Sequence, residues 1–216
     1  MNTQVIAKVE SFLKDKFASS SYLQKNPTDR DYRLEHSYRV ANLAKMIAQE
    51  EGFDVTNAVI AGLLHDVAYC EEMKSKEDWK NHGRRSAAIS RPLLCSLGLS
   101  ETDVNEICYS IAIHVDDESD FTWDRTAFSE TVGDADNLDR FDVYRLYETL
   151  QSIKFSEKSL HEKKDEVTSM LEKLHRLRDF KLGTKTANII WAQRLDFYVT
   201  FYEKLKSQLD NSCTVL

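Results

Sequence analysis

Two ionisable residues, His65 and Asp66, interrupt an otherwise apolar run from Ala58 to Ala68. A carboxylate beside an imidazole in such a run is expected to be buried. A buried charge without a partner costs several kcal/mol, so the fold must supply compensation. A divalent cation is a suitable partner because imidazole and carboxylate groups both ligate such ions. The pair therefore predicts a metal site in the interior of the protein.

Glycine and proline are scarce, with six and two among the 216 residues. A β-sandwich or barrel would need a turn every few residues, so this composition favours long helices joined by short loops. The chain is long enough for one domain with a sizeable core. It has no evident linker or internal repeat. We predict an all-α protein with a single domain over residues 1–216, its core at about 30–150.

Helical spacing of apolar residues, together with cap residues, predicts eight helices. They are Val5–Phe17, Leu34–Glu51, a helix capped by Asp54 that carries His65-Asp66, Gly83–Leu97, a helix from Ser100 to His114, Arg125–Leu150, Ser156–Lys181 and Thr184–Leu209. The segments Ser19–Arg33 and Tyr69–Asn81 are predicted to be loops. We expect Pro92 to kink or break its helix.

The net charge of −7 and the pI near 5.4 do not fit a general nucleic-acid binder, which would be basic. Four cysteines are present without a CxxC pair, and we predict that they are reduced thiols, with Cys95 and Cys108 in the core. The N-terminus has no apolar signal segment, and no apolar run approaches about 18 residues. These features predict a cytoplasmic protein without a membrane partner.

Other ligand-type residues share apolar stripes of the predicted helices. These are His36, His82, His114 and Asp136. We expect Asp136 to share its side of the helix with Asp139 and Val143. Each alone has an ordinary explanation, such as a hydrogen-bonded core histidine, a helix cap or a solvated acidic face. Together they predict convergence in one helical core, with His36, His65, Asp66 and Asp136 around one cation.

The order and placement of these residues resemble the HD superfamily of metal-dependent phosphohydrolases. The matching elements are His36-Ser-Tyr-Arg39-Val40, Leu64-His65-Asp66, Asn81-His82-Gly-Arg-Arg-Ser86-Ala87, Ile111-Ala-Ile-His114 and Gly133-Asp134-Ala135-Asp136-Asn137-Leu138-Asp139. The resemblance covers about Leu34 to Leu209. It is specific for the superfamily but says little about the substrate.

The resemblance implies an HD-domain helical bundle with two long C-terminal amphipathic helices. It also implies hydrolysis of a phosphate ester or anhydride, in a nucleotide or another small phosphorylated metabolite. By position, His36, His65, Asp66 and Asp136 resemble the ligands of a divalent ion, which could be Mn, Fe, Co, Ni, Mg or Zn. Asp136 fits the Ala-Asp-x-Leu element of the family better than Asp134 does.

Three residues are predicted to be catalytic: Asp66, His82 and His114. Asp66 would orient the attacking water, while the two histidines resemble those of two-metal HD proteins and would hold a second metal, bind phosphate or protonate the leaving oxygen. Substrate contacts are predicted from Arg39, Arg85 and Asp139. For Arg39, an ion pair with Asp134 or Asp139 is an equal alternative.

Two other functions stay open at this point: an HD-fold di-iron oxygenase, and a non-catalytic module that binds a metal or a nucleotide. The last two helices are expected to cover the core. Three aromatic residues of the final helix could instead form a homodimer contact: Trp191, Phe197 and Tyr202.

Overall fold

A computed structural model describes residues 1–213, which form ten α-helices and three short 3-10 helices and contain no strand. The all-α prediction is therefore confirmed. The α-helices are α1 (Thr3–Ser19), α2 (Ser21–Lys25), α3 (Pro27–Glu51), α4 (Val55–Leu64), α5 (Lys76–Ser96), α6 (Glu101–Ile113), α7 (Thr131–Asp139), α8 (Val143–Ser152), α9 (Leu160–Leu177) and α10 (Lys185–Asp210). The 3-10 helices are Val67–Cys70, Phe128–Glu130 and Phe155–Glu157.

Cap residues begin and end several helices at the predicted places. The Asp54 carboxylate accepts a hydrogen bond from the Asn57 backbone N–H at the start of α4. Ser100 does the same for Asp103 at the start of α6. Gly52 follows α3 with a φ of 75°, in the left-handed region that glycine adopts without strain.

Both predicted loops are partly helical, so those predictions were wrong. α3 begins at Pro27, where a proline is favoured because first-turn N–H groups need no helical partner. α5 begins at Lys76 because Ser75 and Asp78 form a reciprocal capping box. α5 also continues through Pro92 without a break.

The helix predicted over Arg125–Leu150 is divided in the structure. α7 ends at Asp139, and the Asp142 carboxylate accepts a hydrogen bond from the Val143 backbone N–H to begin α8. Val143 therefore lies in a different helix from Asp136 and is 61% exposed, which contradicts the predicted shared side. The cap residue Asp142 was the local signal for this break.

The described residues form two compact units, and the first comprises Met1–Asp139 with Gly183–Thr186. Its central element is α4, which packs against α1, α3, α6 and α7. All residues from Asn57 to Leu64 are buried, as are His65 and Asp66. A Cβ atom on Gly62 would lie 2.6 Å from the Ala41 Cα, so the absence of a side chain lets α3 and α4 approach closely.

The second unit comprises Arg140–Leu182 and the described residues from Ala187 onward. The ring of Phe141 lies 4.9 Å from that of Trp191 and 5.4 Å from that of Tyr198. Of the three aromatic residues considered for a dimer contact, Trp191 and Tyr202 are buried, while Phe197 is 44% exposed. The homodimer and the single domain stay predictions.

Two further expectations concern single residues and segments. Cys108 is buried as predicted, but Cys95 is exposed, so its placement in the core was wrong. Among the described residues, no helix combines the length and apolar character needed to span a membrane.

Candidate metal centre

The end of α4 sets the direction of the His65 imidazole. His65 follows the last residue of the helix, and its Nδ1 lies 2.7 Å from the carbonyl oxygen of Gly62. A carbonyl oxygen only accepts hydrogen bonds, so Nδ1 carries the proton and Nε2 keeps its lone pair. The ring is thereby fixed in the form that binds a metal through Nε2.

Two more histidines are oriented by the same kind of hydrogen bond, from Nδ1 to a main-chain carbonyl oxygen. Nδ1 of His82 lies 2.6 Å from the Trp79 carbonyl oxygen, and Nδ1 of His114 lies 2.7 Å from the Ile111 carbonyl oxygen. Each bond reaches back three residues, because the imidazole folds over the preceding turn of its own helix. The Nε2 atoms of His82 and His114 are consequently directed at each other, 3.2 Å apart.

The first cluster consists of His36, His65, Asp66 and Asp136. Nε2 of His36 lies 3.2 Å from Nε2 of His65, 3.2 Å from the nearer Asp136 oxygen and 3.5 Å from Asp66 Oδ2. Nε2 of His65 lies 3.6 Å from Asp66 Oδ1. All four residues are buried. The structure thus brings together the four residues that the sequence predicts as metal ligands.

The second cluster consists of Asp66, His82 and His114. Asp66 Oδ1 lies 3.2 Å from Nε2 of His82 and 3.8 Å from Nε2 of His114. Asp66 Oδ2 faces His36 instead, so one carboxylate is shared between the two clusters. The three predicted catalytic residues therefore lie together, and one of them, Asp66, also belongs to the first cluster.

The donor set fits divalent cations. Since Nδ1 carries the proton in both His82 and His114, their facing Nε2 atoms need a proton or a cation between them. Nε2 of His65 and Nε2 of His36 also face each other, 3.2 Å apart, and likewise need a proton or a cation between them. Imidazole nitrogens and carboxylate oxygens suit Mn, Fe, Co, Ni and Zn, and the carboxylates also suit Mg. The first cluster would hold one ion through its four residues, and the second cluster would hold another through His82, His114 and Asp66.

The two imidazoles of the first cluster have pKa values that are shifted in opposite directions. Burial favours the neutral form of His36, but hydrogen bonds to Asp136 and Asp139 outweigh it and raise the pKa of His36 to about 9. Burial lowers the pKa of His65 to about 4. Burial opposes ionisation of Asp66, yet the surrounding imidazoles hold the pKa of that carboxyl well below its ordinary value.

Asp139 lies behind His36 and orients it. Its Oδ2 lies 2.8 Å from Nδ1 of His36, while the Arg39 guanidinium binds both carboxylate oxygens at 2.8 and 3.2 Å. A carboxylate that holds the far nitrogen of a ligating histidine fixes the ring and increases its basicity. The ion pair with Asp139 was the stated alternative for Arg39, and the structure contains it.

The neighbouring acids Asp134 and Asp136 have different hydrogen-bond partners in the structure. Asp134 accepts three hydrogen bonds, from the backbone N–H groups of Gly183 and Thr184 at 2.8 Å each and from the Thr184 hydroxyl at 2.7 Å. Asp136 instead lies beside His36. Asp134 therefore connects α7 to the segment before α10, and Asp136 is the acid that the geometry places at the first cluster.

The structure places a different arginine at the clusters from the one that the sequence predicts: Arg33 rather than Arg85. Arg85 binds the exposed Glu71 at 2.9 and 2.5 Å and is not among the residues gathered at either cluster. Arg33 was missed, although its NH1 lies 3.3 Å from Asp66 Oδ2. It lies three residues before His36, on the same helical face, so that spacing could have identified it. Because Ser19–Arg33 was predicted to be a loop, Arg33 was not placed on the helical face of His36.

Comparisons with known proteins agree with this geometry. The family model described as HD domain matches residues 33–144, more than half of the chain. Among solved structures, that of a predicted HD superfamily hydrolase from an uncultured Thermotogales bacterium is 21% identical in sequence, with a TM-score of 0.63. The alignment covers 94% of this chain and 91% of that one, which shows a shared fold.

A comparison with curated proteins yielded no significant match. The family match includes all five of the HD elements identified in the sequence and spans the residues of both clusters. It confirms the resemblance that those elements suggested. The chain belongs to the HD-domain family.

Proposed function

We propose that this protein is a metal-dependent hydrolase of a phosphate ester or anhydride in a small phosphorylated metabolite. The observation that carries the proposal is the pair of clusters that share the Asp66 carboxylate. The guanidinium of Arg33 binds the same carboxylate. Paired metal sites of this kind are typical of phosphatases and nucleases. An adjacent arginine complements the negative charge of a phosphoryl group.

Divalent ions bound at the clusters would lower the pKa of a coordinated water and polarise a phosphoryl oxygen. The protein's own residues have separate tasks. Asp66, between the clusters, would orient the attacking water. Arg33 would hold a phosphoryl oxygen, since its guanidinium lies 3.3 Å from Asp66. Asp139 and Arg39 keep His36 in its ligating orientation.

His82 has a further role when only the first cluster is loaded. In the metal-free protein, burial favours its neutral form, but the hydrogen bond to Asp66 outweighs this and raises the pKa of the His82 imidazole. A protonated imidazole beside the attacked phosphoryl group is a suitable donor to the leaving oxygen. The same residue thus serves either as a ligand or as a general acid.

The donor set of four histidines and two aspartates also supports a second candidate, a di-iron oxygenase, since imidazole and carboxylate ligands suit iron. Two irons per chain together with oxygen consumption would favour it. Turnover of a phosphate ester with Mn²⁺ or Ni²⁺ under anaerobic conditions would exclude it. A module without any turnover is the third outcome.

The test combines metal analysis of the purified protein with a screen of phosphate esters and anhydrides against several divalent ions. We expect release of phosphate, and we expect Asp66→Ala to lower kcat/KM by at least about 100-fold, since this carboxylate serves both clusters. Bound metal should fall in parallel, while circular dichroism stays helical.

Asp31→Ala is a matched control, because Asp31 is exposed and pairs with Arg30. It should retain both metal and activity. An Asp66→Ala variant with full activity would refute the proposed site.

A further inference from the structure

Three aromatic rings surround the guanidinium of Arg33 at the edge of the clusters. Its Cζ lies 3.5 Å from the ring centre of Tyr69, 5.5 Å from that of Tyr32 and 5.9 Å from that of Trp79. Cations over aromatic faces at these distances are attracted by the ring quadrupole. The arrangement holds the charge of Arg33 in a fixed place beside Asp66.

Arg33 keeps a donor that the protein does not satisfy. Its Nε atom is buried without a hydrogen-bond partner, and the nearest ion-pair oxygen, on Asp29, lies 3.6 Å away. Only 14% of the side chain is exposed. A buried N–H group without an acceptor costs free energy, which a fold seldom leaves uncompensated without a functional reason.

Trp79 extends this aromatic set into solvent. It is 48% exposed, whereas Tyr69, whose ring centre lies 5.4 Å away, is only 6% exposed. Trp79 lies in the first turn of α5, and its carbonyl oxygen binds Nδ1 of His82 at 2.6 Å. The Trp79 main chain thus contacts a residue of the second cluster, and the Tyr69 ring, whose centre lies 5.0 Å from that of His82, links the half-exposed indole to the same residue.

An exposed indole next to a fixed guanidinium presents two chemistries side by side. The guanidinium is complementary to an anionic phosphoryl oxygen, and the indole is complementary to a planar apolar ring. A ligand that carries both groups in one molecule would satisfy both. Nucleoside phosphates have this composition, because a short ribose joins the phosphate to the base.

We propose that Trp79 is a specificity residue whose exposed ring stacks on the base of a nucleoside phosphate, while the phosphoryl group lies beside Arg33 and Asp66. The assignment of the phosphoryl group rests on the proposed function; the stacking rests on Trp79. The base is recognised by its planar face, so the site tolerates different bases and rejects substrates that lack one.

Two ligands test this directly, AMP and ribose 5-phosphate, which share the phosphate ester and the ribose and differ in the base. Their dissociation constants are measured by calorimetry with Mn²⁺-loaded wild-type protein and with Trp79→Leu and Trp79→Phe. Leucine keeps an apolar side chain without an aromatic face, and phenylalanine keeps the face. Thermal denaturation confirms that each variant is folded.

We expect wild type to prefer AMP, and Trp79→Leu to lower that preference by roughly 5- to 150-fold, the range that loss of one base–aromatic stack produces. Trp79→Phe should retain most of it. Equal affinity of wild type for the two ligands would overturn the inference. A preference that survives in Trp79→Leu would overturn it as well.

Hydrolysis of the same ligands separates this inference from the proposed function. Absence of phosphate release with every metal, alongside an AMP preference that depends on Trp79, would reject the hydrolase and support the stacking site. Hydrolysis of both esters with a kcat/KM ratio that Trp79→Leu leaves unchanged would support the hydrolase and reject the stacking site.

Discussion

The two clusters share one carboxylate but differ in their surroundings. In the first cluster, His36 contacts Asp136 through Nε2 and Asp139 through Nδ1, and only His65 binds a main-chain carbonyl through Nδ1. In the second, the Nδ1 atoms of both histidines bind main-chain carbonyls. Carboxylates add negative charge and increase the basicity of a ligating imidazole, whereas a carbonyl dipole does so less. The comparison predicts that a divalent ion would bind more tightly at the first cluster than at the second.

The largest expected effect is on bound metal, when one histidine of each cluster is replaced in turn. His36→Gln should abolish metal binding at the first cluster and lower kcat/KM by about 100-fold or more, because it removes a ligand. His82→Gln should keep one tightly bound ion per chain. Metal content after dialysis, measured by plasma mass spectrometry, distinguishes these results. Equal loss of metal in the two variants would remove the distinction between the clusters.

The next effect concerns the two imidazoles within the first cluster, in the metal-free protein. The pKa of His36 is raised from 6.5 to about 9, so its stabilisation is complete below pH 6.5 and is lost as pH rises through 9. The pKa of His65 is lowered from 6.5 to about 4, so its stabilisation is present above pH 6.5 and is lost as pH falls through 4. Each contribution is on the order of 3 kcal/mol.

Urea denaturation of chelator-treated protein should therefore show a free energy of unfolding that is largest near pH 6.5 and declines toward both pH 4 and pH 9. His36→Gln should reduce the alkaline decline, and the part that remains should come from His82, whose pKa is also raised. His161→Gln, a control at an exposed histidine, should leave the profile unchanged. An alkaline decline of undiminished size in His36→Gln would assign it to another group.

The smallest effect concerns the residue behind His36. Asp139→Asn keeps the shape of the side chain but removes the charge that holds Nδ1, so metal affinity at the first cluster should fall by about 10- to 100-fold. Affinity at the second cluster should not change. Competition with a fluorescent chelator measures both affinities.

Asp134→Asn is the matched control, with the same substitution in the same helix. Asp134 binds Gly183 and Thr184 rather than the first cluster, so its variant should lose stability and keep metal affinity. If both variants weaken metal binding equally, Asp139 has no special role at His36.

Close helix contacts explain part of what the sequence did not predict. A Cβ on Gly83 would lie 2.6 Å from the Ala112 carbonyl oxygen, so α5 and α6 meet where His82 and His114 face each other. Gly62 has the same role between α3 and α4. A glycine in a helical pattern signals a close approach but does not identify its partner helix.

Local structure was predictable where short-range signals acted alone, as at the caps Asp54 and Ser100. The predictions were wrong where two signals competed. Pro27 was interpreted as a loop residue although it begins a helix, and apolar periodicity concealed the cap at Asp142. Arg33 was missed for the same reason, since its helix was not recognised that far upstream.

The sequence by itself determined the helical class and the burial of His36 and His65, because these depend on the apolar residues within a few positions of each histidine along the chain. Tertiary structure alone decided that Asp139 meets His36, 103 residues away, and that the Asp66 carboxylate lies between the two clusters. Spacing along a helix fixes the face of a side chain. Only the packing of α3, α4, α5 and α7 fixes which faces meet.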